Sequence, residues 1–133
     1  MADHKELTLP SSIEQVYRLE SFVDSLQQWV DFDDEIYSQI MMALSEAVTN
    51  AIVHGNKNNE DKTVHIMAMH GDNKLSISIK DEGDGFDPDA IPDPLKEENL
   101  LKQGGRGVFL MNQFADGIEF SENGSKLTLT FNL

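Results

Sequence analysis

Three short stretches of the chain hold residues that could do chemistry. The first is Glu46-Ala-Val-Thr-Asn50-Ala-Ile-Val-His54-Gly55-Asn56, the second Asp81-Glu-Gly83-Asp-Gly85-Phe-Asp, and the third Gly104-Gly105-Arg106-Gly107-Val-Phe-Leu-Met. A glutamate such as Glu46 can take a proton from a nucleophile. The amide oxygen of Asn50 suits Mg²⁺, a hard cation that keeps waters or phosphates in its other positions. Asp81 could accept a hydrogen bond from a ring amine such as adenine N6–H, and Gly83 and Gly85 let the backbone turn sharply beside a flat ring. Gly104, Gly105 and Gly107 open an apolar helix whose first N–H groups favour phosphate, with Arg106 or Lys102 adding charge. Together these are the parts of an ATP site made without a P-loop, since no G-x-x-x-x-G-K-[ST] occurs.

Each stretch has a plainer reading. Glu46, Asn50 and His54 could be a polar helix flank facing water. Asp81 could be an acidic turn at a strand end, and the third stretch a flexible linker ended by a helix. Other chemistries fit less well. A calcium loop over Asp81, Asp84, Asp87 and Asp89 would place Gly83 and Gly85 where ligands are needed. A dinucleotide fingerprint lacks its third glycine, with Leu110 in that place. The histidines His4, His54, His65 and His70 show no zinc spacing, and there is no cysteine to help them. His54 reads as a residue that complements the helix dipole at a C-terminus.

The elements that must position these residues follow from hydrophobic period. Lys5 to Leu9 alternates as a short strand, stopped by Pro10. Ser11 or Ser12 offers an N-cap, with Glu14 and Gln15 in the first turn. Val16, Leu19, Phe22, Val23 and Leu26 then recur at helical spacing to about Val30. Asp33 or Asp34 caps a second helix. Its apolar face is Ile36, Ile40, Ala43, Leu44, Ala47, Val48 and Ala51, and it stops at His54-Gly55. Four residues advance a helix by about 400°, so Glu46, Asn50 and His54 form one stripe beside that face. Thr63 to His70 alternates, Gly71-Asp-Asn73 is a hairpin turn, and Leu75, Ile77 and Ile79 carry a strand into Asp81. The stretch from Asp84 to Gly104 holds Pro88, Pro92 and Pro94 and reads as a long loop. A short helix over Val108 to Phe114 follows. A second hairpin joins Ile118–Phe120 to Leu127–Phe131 around Glu122-Asn-Gly124-Ser. The order β-α-α-β-β-loop-α-β-β predicts one α+β domain over 1–133: a two-layer sandwich, with helices on one face of a mainly antiparallel mixed sheet.

Composition narrows the partners. The chain has 133 residues, a formal charge of −14 and no cysteine. Such a surface repels nucleic-acid phosphates, and disulfide or thiol chemistry is excluded. Hydrophobic residues make up 39%, enough for a core. The N-terminus opens no apolar run and nothing reads as a membrane span, so a soluble cytoplasmic protein is expected.

The ordered trio resembles the N, G1 and G2 boxes of the Bergerat-fold ATPases, over about Leu7 to Leu133. The resemblance implies a nucleotide held between the second helix and the sheet, with 84–104 as the ATP lid. Histidine kinases of that superfamily usually carry Asn where this chain has Glu46, and gyrase-type ATPases need a transducer domain. The chain is most similar to the stand-alone anti-sigma-factor serine/threonine kinases of bacterial partner-switching systems. That likeness implies an ATP- and Mg²⁺-dependent kinase, usually homodimeric. It would phosphorylate an antagonist protein and compete for a sigma factor, and Arg18 on the first helix would contact the partners. A nucleotide-gated binding module without catalysis and a detached histidine-kinase catalytic domain are the competing expectations.

Overall fold

A computed structural model describes residues 4–83, Met111 and 113–133. Five strands form one sheet: β1 (His4–Pro10), β2 (Thr63–Gly71), β3 (Lys74–Lys80), β4 (Gly117–Ser121) and β5 (Lys126–Asn132). Their spatial order is β1-β2-β3-β5-β4, and each pairing is antiparallel. The central strand is therefore β3, and Asp81 is the first residue beyond its end. Two helices, α1 (Arg18–Val30) and α2 (Asp34–Asn50), lie between β1 and β2 in sequence. This is the expected α+β arrangement.

Alternation decides which sheet face the helices cover. Registers Leu7↔Ile66↔Ile79↔Leu127 and Lys5↔Ala68↔Ile77↔Leu129 run across the sheet. From β2 to β5 these rows are buried and join one core with Leu19, Phe22, Val23 and Leu26 of α1 and Ile40, Ala43, Leu44, Ala47 and Val48 of α2. The rows between them, such as Glu6↔Met67↔Ser78↔Thr128, fall on the opposite face. Both hairpins turn as expected. Asp72 and Asn73 sit at φ 54° and 61°, the left-handed pair of a two-residue turn whose twist matches the strands. Glu122–Gly124 is a 3₁₀ turn that carries β4 into β5.

The helix starts differ in part from the sequence expectation. Asp33 does cap α2, its Oδ1 accepting from the Ile36 N–H at 2.9 Å. Neither Ser11 nor Ser12 caps α1. Ile13–Gln15 forms a 3₁₀ turn first, α1 begins at Arg18, and the buried Ser11 hydroxyl is engaged elsewhere. At its far end α1 stops on Asp31 in the left-handed conformation, φ 61°, with its N–H on Gln27 O. Tyr37 Oη donates to Asp24 Oδ1 at 2.6 Å and so joins α2 to α1. The bond and the acidic neighbours push the Tyr37 hydroxyl up to about 12. No helix among the described residues is long and apolar enough to cross a membrane.

Ile77 is fully buried and paired to Ala68 and Leu129 in the middle of the sheet. Ile77→Ala is expected to cost about 2–5 kcal/mol of folding stability. Urea unfolding followed by circular dichroism measures it, and a loss well below that range would mean the sheet can collapse around the gap.

Candidate functional site

The first predicted stretch lies on α2 and its continuation. Glu46 and Asn50 are both half-buried, flanking the buried Ala43, Ala47 and Val48. Beyond Asn50 the helix widens into a π-helical turn, Ala51–Gly55, closed by the Asn56 N–H on Ala51 O at 2.8 Å. Such wide turns often sit at functional sites because they re-aim the residues that follow. Here Gly55 and Asn56 are brought against the exit of β3. The helical signal thus reaches Gly55 as the sequence suggested, but the change of pitch was not legible in it. His54 is exposed on this turn.

Asp81 is the centre of the arrangement and is 8% exposed. Its N–H donates to Ser125 O at 2.9 Å, and its Oδ1 accepts from the Gly83 N–H at 2.8 Å. Two glycines, themselves in contact, crowd the carboxylate. A β-carbon on Gly55 would stand 2.5 Å from Asp81 Cγ and closer still to Oδ2. One on Gly83 would stand 2.8 Å from the Gly55 carbonyl carbon and 3.0 Å from Asp81 Oδ1. Close approach, and not backbone conformation, is why these positions are glycine. Burial pushes the Asp81 carboxyl up. The Gly83 N–H and the Lys80 and Lys62 charges oppose that shift.

The β4–β5 turn supports this end of β3. Lys80 Nζ donates to Ser125 Oγ at 2.6 Å and pairs with Glu122 Oε2 at 2.7 Å, holding the Glu122 carboxyl below its ordinary range. Ser125 Oγ in turn donates to Glu122 O at 2.8 Å. The residue sequence reasoning passed over is Asn56, which is 1% exposed and bonded to three separate segments. Its place beside His54-Gly55 was the only signal available.

Other predicted residues fall elsewhere. Arg18 is half-buried at the start of α1, its Nη1 donating to Gln15 Oε1 at 3.4 Å, beside the exposed Tyr17. Gly85, Gly104, Gly105, Arg106, Gly107 and the 84–104 segment lie outside the described residues. Of the helix expected over Val108–Phe114, Met111, Gln113 and Phe114 are helical.

A sheltered carboxylate crowded by two glycines suits a ring amine presented edge-on. Among the described residues no cluster of three or more His, Cys, Asp or Glu could hold a metal ion. A lone amide oxygen is enough for Mg²⁺ only where phosphates and waters complete its shell, so the described residues suit an ion that arrives with a nucleotide.

The model of the histidine kinase-like ATPase domain matches residues 9–131. The chain belongs to that family. Relatives within reach of sequence include an anti-sigma F factor from Clostridium beijerinckii, 37% identical over 101 residues, covering 72% of this chain and 70% of that protein. The serine-protein kinase RsbW of Staphylococcus aureus is 30% identical over 138 positions, covering 96% of this chain and 86% of the kinase. Among solved structures, the RsbU and RsbW domains of a Mycobacterium tuberculosis protein match with a TM-score of 0.71 at 18% identity. That match covers 99% of this chain and 33% of the other, so this chain spans about a third of the solved chain's length, and the likeness is one of fold. The family fold thus accounts for a two-layer sandwich in which α2 and the β3 exit meet.

Two outcomes follow for the buried carboxylate. Its folded-state pKa lies above the ordinary 3.8, so the folded chain holds a proton that the unfolded chain releases. The resulting stabilisation is present below the ordinary value and is lost as pH rises through the folded one. At neutral pH the ionised group opposes folding of the ligand-free chain. Asp81→Asn keeps an acceptor for the Gly83 N–H and removes the charge. It is expected to melt above wild type at pH 7, with the gap narrowing toward pH 4 in scanning calorimetry. Gly83→Ala drives a methyl group into the Gly55 backbone and is expected to cost about 1–3 kcal/mol in urea unfolding.

Proposed function

We propose that this chain is an ATP-dependent protein serine/threonine kinase of the anti-sigma-factor type. It phosphorylates a hydroxyl of an antagonist protein in a partner-switching system, with a sigma factor as the second partner, and works in the cytoplasm as a homodimer. The observation that carries the reading is the buried Asp81 carboxylate packed against Gly55 and Gly83 where the α2 extension meets the end of the central strand. Relatives named anti-sigma F factor and serine-protein kinase RsbW support the choice of subfamily.

In this reading Asp81 accepts the adenine amine, and Gly83 and Gly85 let the backbone approach the ring. The glycines Gly104, Gly105 and Gly107, with Arg106, receive the phosphates, and 84–104 is the lid. Bound ATP with Mg²⁺ supplies the phosphoryl group and neutralises its charge. Asn50 would hold the ion through its amide oxygen. Glu46 takes the proton of the acceptor hydroxyl as that oxygen bonds to the γ-phosphorus, while the bond from that phosphorus to the bridging oxygen breaks and ADP leaves. Positioning and electrostatics carry most of such a reaction, so the chain needs few catalytic groups. The acceptor must come from another folded surface, and Arg18, beside the exposed Tyr17 and Ile13, is the contact assigned to it.

Glu46→Gln is expected to bind ATP normally and to transfer phosphate to the partner slower by roughly 10²–10⁴-fold. Asn50→Ala is expected to lose the Mg²⁺-dependent part of nucleotide affinity. Labelled ATP and mapping of the modified residue on the co-purified partner test both. An acid-labile product would point to a histidine acceptor, and wild-type transfer by Glu46→Gln would remove Glu46 as the base.

A further inference from the structure

Asn56 has no part in the chemistry above, yet four segments of the chain meet on its amide. Nδ2 donates to Ser11 Oγ at 2.6 Å and to Thr63 O at 2.9 Å. Oδ1 accepts from the Glu82 N–H at 2.7 Å. The Thr63 carbonyl can only accept and the Glu82 N–H can only donate, so the amide has one allowed orientation. The Glu82 carboxylate returns to Thr63, taking hydrogen bonds from its N–H and, at 3.1 Å, from its Oγ1. Ser11 is itself fixed by its N–H on Lys62 O at 3.0 Å. The end of β1, the π turn, the start of β2 and the exit of β3 are thereby joined through one buried side chain.

The bond to Glu82 has a specific consequence. The Glu82 N–H belongs to the peptide group that begins at the Asp81 carbonyl carbon, one bond from the Cα that carries the carboxylate. Holding that peptide fixes ψ of Asp81. On its other side stands Gly83, the residue type with the widest conformational choice. We propose that Asn56 is a positioning residue for Asp81. It clamps the Asp81–Glu82 peptide so that the carboxylate meets the 6-amino group of a purine nucleotide at hydrogen-bonding angle, and it makes base selectivity depend on residue 56 as well as on residue 81. The inference rests on the reading of Asp81 as the adenine acceptor.

A merely structural asparagine would behave differently. Its loss would lower the folded fraction and weaken every nucleotide in the same proportion. A positioning role changes the ratio between ligands with and without the amine. The experiment compares ATP with purine riboside triphosphate, which lacks the 6-amino group, by titration calorimetry with Mg²⁺ at a temperature where each variant is folded. Wild type is expected to prefer ATP by about tenfold or more, as a hydrogen bond to a charged acceptor allows. Asp81→Asn should bring the ratio close to one. Asn56→Ala should do nearly the same while holding the analogue's affinity within about twofold of wild type. If Asn56→Ala does not fold, Ser11→Ala carries the test. It removes one of the two acceptors of Nδ2, and the ratio should narrow by roughly threefold. A wild-type ratio in folded Asn56→Ala, or in Ser11→Ala where that variant carries the test, overturns the role of Asn56 and leaves Asp81 untouched. Equal weakening of both ligands overturns it likewise. A wild-type ratio near one that Asp81→Asn does not change overturns the reading of Asp81, and the inference with it.

Discussion

The architecture depends on one contact in which two backbones touch with no room for a β-carbon. Gly55 at the end of the α2 extension and Gly83 just beyond β3 meet each other beside the Asp81 carboxylate. For that contact to form, α2 must run to the correct depth over the sheet, which its buried Ile40, Leu44 and Val48 ensure. The π turn must then deliver Gly55 to the strand end. Asp81 must leave from the middle of the sheet, which the order β1-β2-β3-β5-β4 provides. The core is thus the means by which a helix terminus and a strand terminus are held at van der Waals distance.

Charge is organised around the same point. A chain of −14 would need local compensation to receive a triphosphate. Lys80 and Lys62 are the cations felt by Asp81. Lys80 does not reach toward the carboxylate of its neighbour. It is tied to Ser125 and Glu122 on the adjoining hairpin. Among the described residues the carboxylate therefore stays sheltered without a direct ion pair, and its hydrogen-bond donor is the Gly83 N–H. A buried acid held this way is costly to the empty fold and available to a ligand donor, a common compromise where function and stability compete.

What could be read from sequence was what local periodicity encodes. The α2 stripe, the two hairpins and the strand leading into Asp81 are each set by neighbours within a few residues, and each was visible. The expected cap at Ser11 or Ser12 is not formed. A serine before a helical pattern carries the local signal of a cap, but its true partner, Asn56, lies 45 residues away. The same holds for Asn56 itself. Its three bonds reach Ser11, Thr63 and Glu82, and none of these distances along the chain has a period that a sequence could display. The pitch change at Ala51 is silent for a related reason, because α and π turns draw on the same residue types.

The single tryptophan of the chain lies far from this junction. Trp29 meets His70 edge-on, ring centres 4.5 Å apart, and Lys5 Nζ stands 5.7 Å from the indole centre. His70 is near the hairpin end of β2, and seven residues of strand, roughly 23 Å, separate it from Thr63 beside Asn56. The molecule therefore carries a built-in fluorophore at the opposite end of the sheet from the Asp81 junction. Indole emission reports the seating of α1 on β1 and β2.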